Sequence, residues 1–168
     1  MPSADELRTV IVADNDAQLR GILRSMFTGL GFHVIQASDG LEALGFAQNT
    51  QARLVILDKK MPNLDGLQAC AQIRRLPGYA HTPIIILTVY DDAETRAAAN
   101  DAGATSFFAK PFRPDELLQN LAPLLGIDPG DRSQRVVWKP IMEPSPAYGE
   151  PPELSLGRKL LALHRRQP

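Results

Sequence analysis

The sequence predicts a doubly wound α/β fold, a five-stranded parallel sheet with helices on both faces, followed by an extended C-terminal arm. Three observations carry this. Between Thr9 and Ile127, short apolar runs alternate with amphipathic stretches, the pattern of repeated β–α units. Two of the runs, LVIL and PIIILT, are apolar almost throughout, as strands covered on both faces must be. After Ile127 the alternation stops: residues 128–168 hold seven of the fourteen prolines and carry seven basic against five acidic residues.

The predicted strands are Thr9 to Ala13, Phe32 to Ala37, Leu54 to Leu57, Pro83 to Thr88 and Ser106 to Ala109. Between the first two, Leu19, Ile22, Leu23, Met26, Phe27 and Leu30 recur at helical spacing and give one apolar stripe, which Gly29 and Gly31 end. Asp39 with Glu42 resembles a capping box for a second helix running to about Asn49. A third helix follows Asp65-Gly66, and a fourth covers Asp92 to Ala102. The fifth begins at Pro114, a residue suited to a first helical turn, and continues through Leu125 to Gly126. Five units of this kind match the flavodoxin-like arrangement with strand order 2-1-3-4-5, in which the ends of strands one and three flank the topological switch point.

These boundaries divide the chain into a domain over 1–127 and a proline-rich arm over 128–168. Pro140, Pro144, Pro146, Pro151 and Pro152 favour extended backbone. Leu154, Leu156, Leu160, Leu161 and Leu163 suggest a short helix near 154–166. Val136, Val137, Trp138, Ile141 and Met142 would be apolar surface if the arm were free, so docking is expected. Two sites are open for it: the same domain, or a second subunit, where paired arms would clasp a homodimer.

A net charge of −1 supplies no field that draws a protein to polyanions, and the arm shows no helix–turn–helix pattern or zinc-ligand cluster, so no nucleic-acid partner is expected. No apolar run reaches the roughly 18 residues a membrane helix needs, so no membrane partner is expected either. The single cysteine, Cys70, excludes an intramolecular disulfide and suits a reducing compartment, and a cytoplasmic location follows. His33, His81 and His164 have no metal-ligand spacing and receive no catalytic role.

Chemistry-bearing residues fall just beyond predicted strand ends: Asp14-Asn15-Asp16, Asp58, Thr88 and Lys110. In a doubly wound sheet these positions converge on one crevice. A carboxylate attacks phosphorus only where nearby cations offset the charge on both reactants, which makes this a phosphoryl-transfer site. Magnesium meets that need with a few carboxylates plus carbonyl and water oxygens, and Asp14, Asp58 and the Lys60 carbonyl can supply them. Lys110 would pair with the phosphoryl group and the Thr88 hydroxyl would donate to one of its oxygens. Asp16 reads as a helix cap alone, and Lys59 as a solvated charge.

The runs VIVADNDAQLRGIL, LVILDKKMPNLDGL, PIIILT and AGATSFFAKPF resemble the receiver domains of bacterial two-component response regulators, in order and spacing, over about three quarters of the chain. The resemblance is to single-domain, chemotaxis-regulator-like receivers. It implies phosphorylation of Asp58 by a sensor histidine kinase or phosphotransfer protein, and dependence on Mg2+. It also implies a switch in which Thr88 moves toward the phosphoryl group while Phe107 turns inward, and a cis peptide before Pro111. The protein would be a self-phosphorylating and autodephosphorylating switch, not a turnover enzyme, with no DNA-binding output domain.

Three features depart from the family pattern. Asn15 stands where a second acidic metal ligand is usual, which predicts weaker metal affinity or an altered phosphorylation rate. Val89 replaces a small residue after Thr88 and narrows access. Phe107 replaces tyrosine and lacks its hydroxyl. Asn15 and Val89 motivate the alternative of a degenerate receiver acting as a phosphorylation-independent docking module. A haloacid-dehalogenase-type phosphatase lacks support, because DNDAQ is not followed by the required Gly-Thr turn. A flavin-binding flavodoxin lacks it too, since DNDAQ is a poor phosphate cradle.

Overall fold

The computed structural model describes residues 8–127. The predicted arm over 128–168, its helix near 154–166 and its Val136 to Met142 run lie outside the described residues, as does any dimer clasp built from them. The elements alternate without exception: β1 (Thr9–Ala13), α1 (Ala17–Gly29), β2 (His33–Ala37), α2 (Gly40–Asn49), β3 (Leu54–Asp58), α3 (Gly66–Arg74), β4 (Ile84–Thr88), α4 (Ala93–Asp101), β5 (Ser106–Ala109) and α5 (Pro114–Leu125). All neighbouring strands pair in parallel, in the order β2-β1-β3-β4-β5.

Strand alternation sorts the core into two layers. Ile11, Ala13, Val55, Leu57, Ile84 and Ile86 face a layer built from Ala43, Leu44 and Ala47 of α2, Ala69, Cys70 and Ile73 of α3, and Ala99 of α4. Val10, Val12, Leu54, Ile56, Ile85 and Leu87 face Leu19, Leu23, Met26 and Phe27 of α1 with Leu117, Leu121 and Leu125 of α5. β1, β3 and β4 are buried along their whole length, as their apolar sequences predict.

The predicted boundaries shift by a residue in three strands: Phe32 and Pro83 fall outside β2 and β4, and Asp58 falls inside β3. Asp92 and Ala102 cap α4 instead of belonging to it. The capping chemistry differs from expectation at α2. Asp39 accepts from the Glu42 N–H (2.8 Å), but the Glu42 carboxylate turns to the Ser38 N–H (2.7 Å) and hydroxyl (2.9 Å). The complete reciprocal box forms one unit later, where Asp65 accepts from the Gln68 N–H and the Gln68 side chain accepts from the Asp65 N–H. Pro114 opens α5, and Gly126 closes it in the left-handed conformation.

Candidate functional site

The parallel ladder continues one residue beyond several strands and thereby aims the polar side chains. The Asp14 N–H donates to the Ala37 carbonyl (3.2 Å), the Lys59 N–H to that of Leu87 (2.7 Å) and the Lys110 N–H to that of Thr88 (2.6 Å). Asp14, Asp58, Thr88 and Lys110 therefore share the carboxyl rim of the three central strands and β5.

Lys110 ties two carboxylates together. Its Nζ lies 2.6 Å from Asp14 Oδ2 and 3.1 Å from Asp58 Oδ1. The three side chains are nearly dry, at 9%, 0% and 8% exposure respectively. Asp14 also accepts from the Asp16 N–H (2.8 Å), and its backbone carbonyl accepts from Arg20 Nη1 (2.6 Å). Burial pushes the Asp58 carboxyl above its ordinary value and the neighbouring charge of Asp14 adds to this, while Lys110 and the Lys60 N–H pull the other way without prevailing. Burial presses the Lys110 ammonium down, but its bonds and charge contacts with Asp14 and Asp58 outweigh that and hold it above the ordinary lysine value. The peptide bond that follows Lys110 is as expected: Lys110-Pro111 is cis.

The loop after Asp58 is tightly packed. A Cβ on Gly66 would come within 2.1 Å of the Asp58 carbonyl oxygen, so the start of α3 can approach the end of β3 only without a side chain. The Gly66 N–H also donates to the Lys59 carbonyl (3.0 Å).

Thr88 is buried, and its Oγ1 accepts from the Tyr90 N–H at 3.1 Å, leaving its own proton available to a ligand. Asn15 and the Lys60 side chain are exposed at the rim. Asp16 caps α1 by accepting from the Gln18 N–H (2.8 Å) and the Leu19 N–H (3.3 Å), the role its position predicts. Phe107 is half-buried against the α2/α3 layer, with the Arg96 guanidinium 5.1 Å from its ring centre. Val89 is 61% exposed.

Lys59 corrects the expectation of a merely solvated charge. Its Nζ donates to Thr95 Oγ1 on α4 (3.0 Å) and lies 5.8 Å from the Tyr90 ring centre. Arg20 was likewise not singled out by the sequence. The only hint is a basic residue in the first turns of α1, close in sequence to the acidic DND run, and that hint does not identify a carbonyl as its partner.

Hard oxygen donors suit magnesium, and the rim offers the carboxylates of Asp14 and Asp58, the Asn15 amide oxygen and the Lys60 carbonyl. The donor chemistry fits, with fewer charges than three acids would give. Among the described residues, no group of three or more His, Cys, Asp or Glu is placed to hold a metal.

Comparison with known proteins agrees with this geometry. The family described as response regulator receiver domain matches residues 10–122. The response regulator MprA of Mycobacterium sp. (strain KMS) is 40% identical over 116 residues, which cover 69% of this chain and 50% of that protein. The chain thus matches about half the length of that relative. The chemotaxis protein CheY4 of Vibrio cholerae superposes with a TM-score of 0.66 at 31% identity, over 69% of this chain and 97% of that one. The receiver domain of sensor histidine kinase PA1611 from Pseudomonas aeruginosa PAO1, described with a magnesium ion coordinated in its active-site cleft, superposes at 0.65 with 27% identity, over 71% and 98% of the two chains.

Proposed function

The chain belongs to the response regulator receiver family, and from that premise we propose that Asp58 accepts a phosphoryl group from a sensor histidine kinase or phosphotransfer protein. The observation that carries the reading is the buried triad in which one ammonium, Lys110, bridges Asp14 and Asp58. Residues 96 positions apart meet there for a purpose that stability does not supply, since a buried ion pair is poor at stabilising a fold.

In the transfer, an Asp58 carboxylate oxygen forms a bond to phosphorus as the phosphorus–nitrogen bond of the donor's phosphohistidine breaks, and the released imidazole nitrogen keeps the electron pair. Lys110 holds positive charge beside the acceptor before and after transfer. The Thr88 hydroxyl turns its proton to a phosphoryl oxygen, and Phe107 moves inward. Asp14, Asn15, Asp58 and the Lys60 carbonyl would hold Mg2+, which when bound offsets charge on the phosphoryl oxygens. Because burial raises the Asp58 carboxyl above its ordinary value, it takes up a proton sooner on acidification than an ordinary aspartate, and transfer should slow correspondingly sooner.

This makes the protein a self-modifying switch rather than a turnover enzyme. It works in the cytoplasm, with output by protein contact. The test is phosphotransfer from sensor kinases of the same genome to wild type and to Asp58→Asn. Label is expected on the wild type and absent from the variant. Absence from both, together with no reaction with acetyl phosphate, would favour the phosphorylation-independent docking module that Asn15 and the exposed Val89 suggest.

A further inference from the structure

Lys59 follows the acceptor in sequence yet points away from it. Its N–H is held in strand register by the Leu87 carbonyl (2.7 Å), and strand alternation then turns its side chain to the face that α4 covers. There the ammonium makes two contacts: a hydrogen bond to Thr95 Oγ1 (3.0 Å) and a position over the Tyr90 ring (5.8 Å).

Both partners lead onward. Thr95 is buried, and its N–H donates to Oδ1 of the α4 cap Asp92 (2.7 Å); its side chain also hydrogen-bonds that residue. The Tyr90 N–H donates to Thr88 Oγ1 (3.1 Å). One ammonium therefore grips the first turn of α4 and the loop residue whose backbone engages the Thr88 hydroxyl.

We propose that Lys59 is a positioning residue for Thr88: a clamp between the acceptor strand and α4 that holds Tyr90 and Thr95 in the unmodified arrangement and must loosen when Asp58 carries a phosphoryl group. The inference rests on Asp58 being the acceptor. A phosphoryl group adds nearly two negative charges one residue from the ammonium, drawing it away from Thr95, and pulls the Thr88 side chain, with the Oγ1 that the Tyr90 N–H engages, out of its resting place. The two states thus compete for the same groups, and a contact made only in the unmodified state lowers affinity for the modifying ligand by its own free energy.

The test uses the full chain with beryllofluoride and Mg2+, followed by the amide signals of Thr88 and Tyr90. Thr95→Val keeps the ammonium but removes its acceptor. It should bind beryllofluoride about three- to tenfold more tightly, the range for the net contribution of one ordinary hydrogen bond. Its ligand-free Thr88 and Tyr90 signals should already lie toward the bound positions. Lys59→Met should shift the same resting signals with a smaller gain in affinity, because it also loses a cation. Lys59→Arg, which keeps charge and donors, should behave as wild type.

Unchanged or weaker binding by a folded Thr95→Val would overturn the clamp, as would resting signals that stay in place in both loosened variants. If wild type takes up no beryllofluoride, or Asp58→Asn takes up as much, the acceptor reading fails instead. The resting signals of the two loosened variants then decide the clamp by themselves.

Discussion

Leu57 and Asp58 are adjacent in β3, both buried, and packed under opposite rules. Leu57 is wholly enclosed by the α2/α3 layer, where only shape and apolar area matter. Asp58, one residue on, has its charged form opposed by burial and by Asp14, and is relieved only in part by Lys110. The body of the sheet is thus arranged for stability, and its rim gives some of that stability up to keep a charged carboxylate dry. Charge at the rim should therefore respond to mutation in both directions, whereas truncation in the body only destabilises.

The largest effect should come from the body. Leu57→Ala removes buried methyl groups from a site with little room to collapse and should destabilise by about 3 kcal/mol in urea unfolding. A loss under 1 kcal/mol would mean that this face of the core is loosely packed, and the contrast with the rim would weaken.

Next is Lys110→Met, which leaves Asp14 and Asp58 facing each other without their shared cation. A loss of about 2 kcal/mol at neutral pH is expected, because removing one member of a buried ion cluster strands the others. Since the fold holds the Lys110 ammonium above its ordinary value of 10.5, this contribution is fully present below that value and disappears as pH rises through the higher folded one. Unfolding of wild type and variant compared at neutral and strongly alkaline pH should show the difference shrinking.

Asp58→Asn should act in the opposite sense and stabilise by about 1 kcal/mol at neutral pH, or a few degrees in melting temperature for a domain of this size. The folded carboxyl titrates above its ordinary 3.8, so the protonated form favours folding. Its contribution is present below 3.8 and is lost as pH climbs through the raised value. The variant's advantage should therefore be missing in acid and open as pH rises. A variant less stable than wild type at neutral pH would show that the bridge to Lys110 outweighs the burial of charge.

The smallest effect on stability belongs to Asn15→Asp. The position is exposed, so without metal the change should be a few tenths of a kcal/mol at most. In a magnesium titration, however, the added carboxylate should tighten binding several-fold. Equal affinities would remove Asn15 from the metal site.

The order of elements, the strand-end placement of Asp58 and several caps were legible in the sequence, because they depend on rules that operate within a few residues. Apolar runs mark β1, β3 and β4, and the Leu19, Leu23, Met26 and Phe27 stripe marks α1. Asp16 and Pro114 occupy the helix starts their chemistry favours. Even among caps, local rules fixed only one half of the motif at α2: Asp39 caps as expected, while Glu42 finds a nearer partner in Ser38.

What the tertiary structure alone decided are the partners that the crossovers bring together. Lys59 meets Thr95, 36 positions away, because strand alternation and the placement of α4 put them on one face of the sheet. Arg74 donates to the carbonyls of Tyr79 (2.6 Å), Thr82 (2.7 Å) and Gly103 (2.7 Å), pinning the loops before β4 and β5. Tyr79 lies buried under the turn before β3 with its hydroxyl donating to the Thr50 carbonyl (2.5 Å). Periodicity tells which side of an element faces inward, but which side chain waits there depends on how separate elements pack, and no short window of sequence contains that distance.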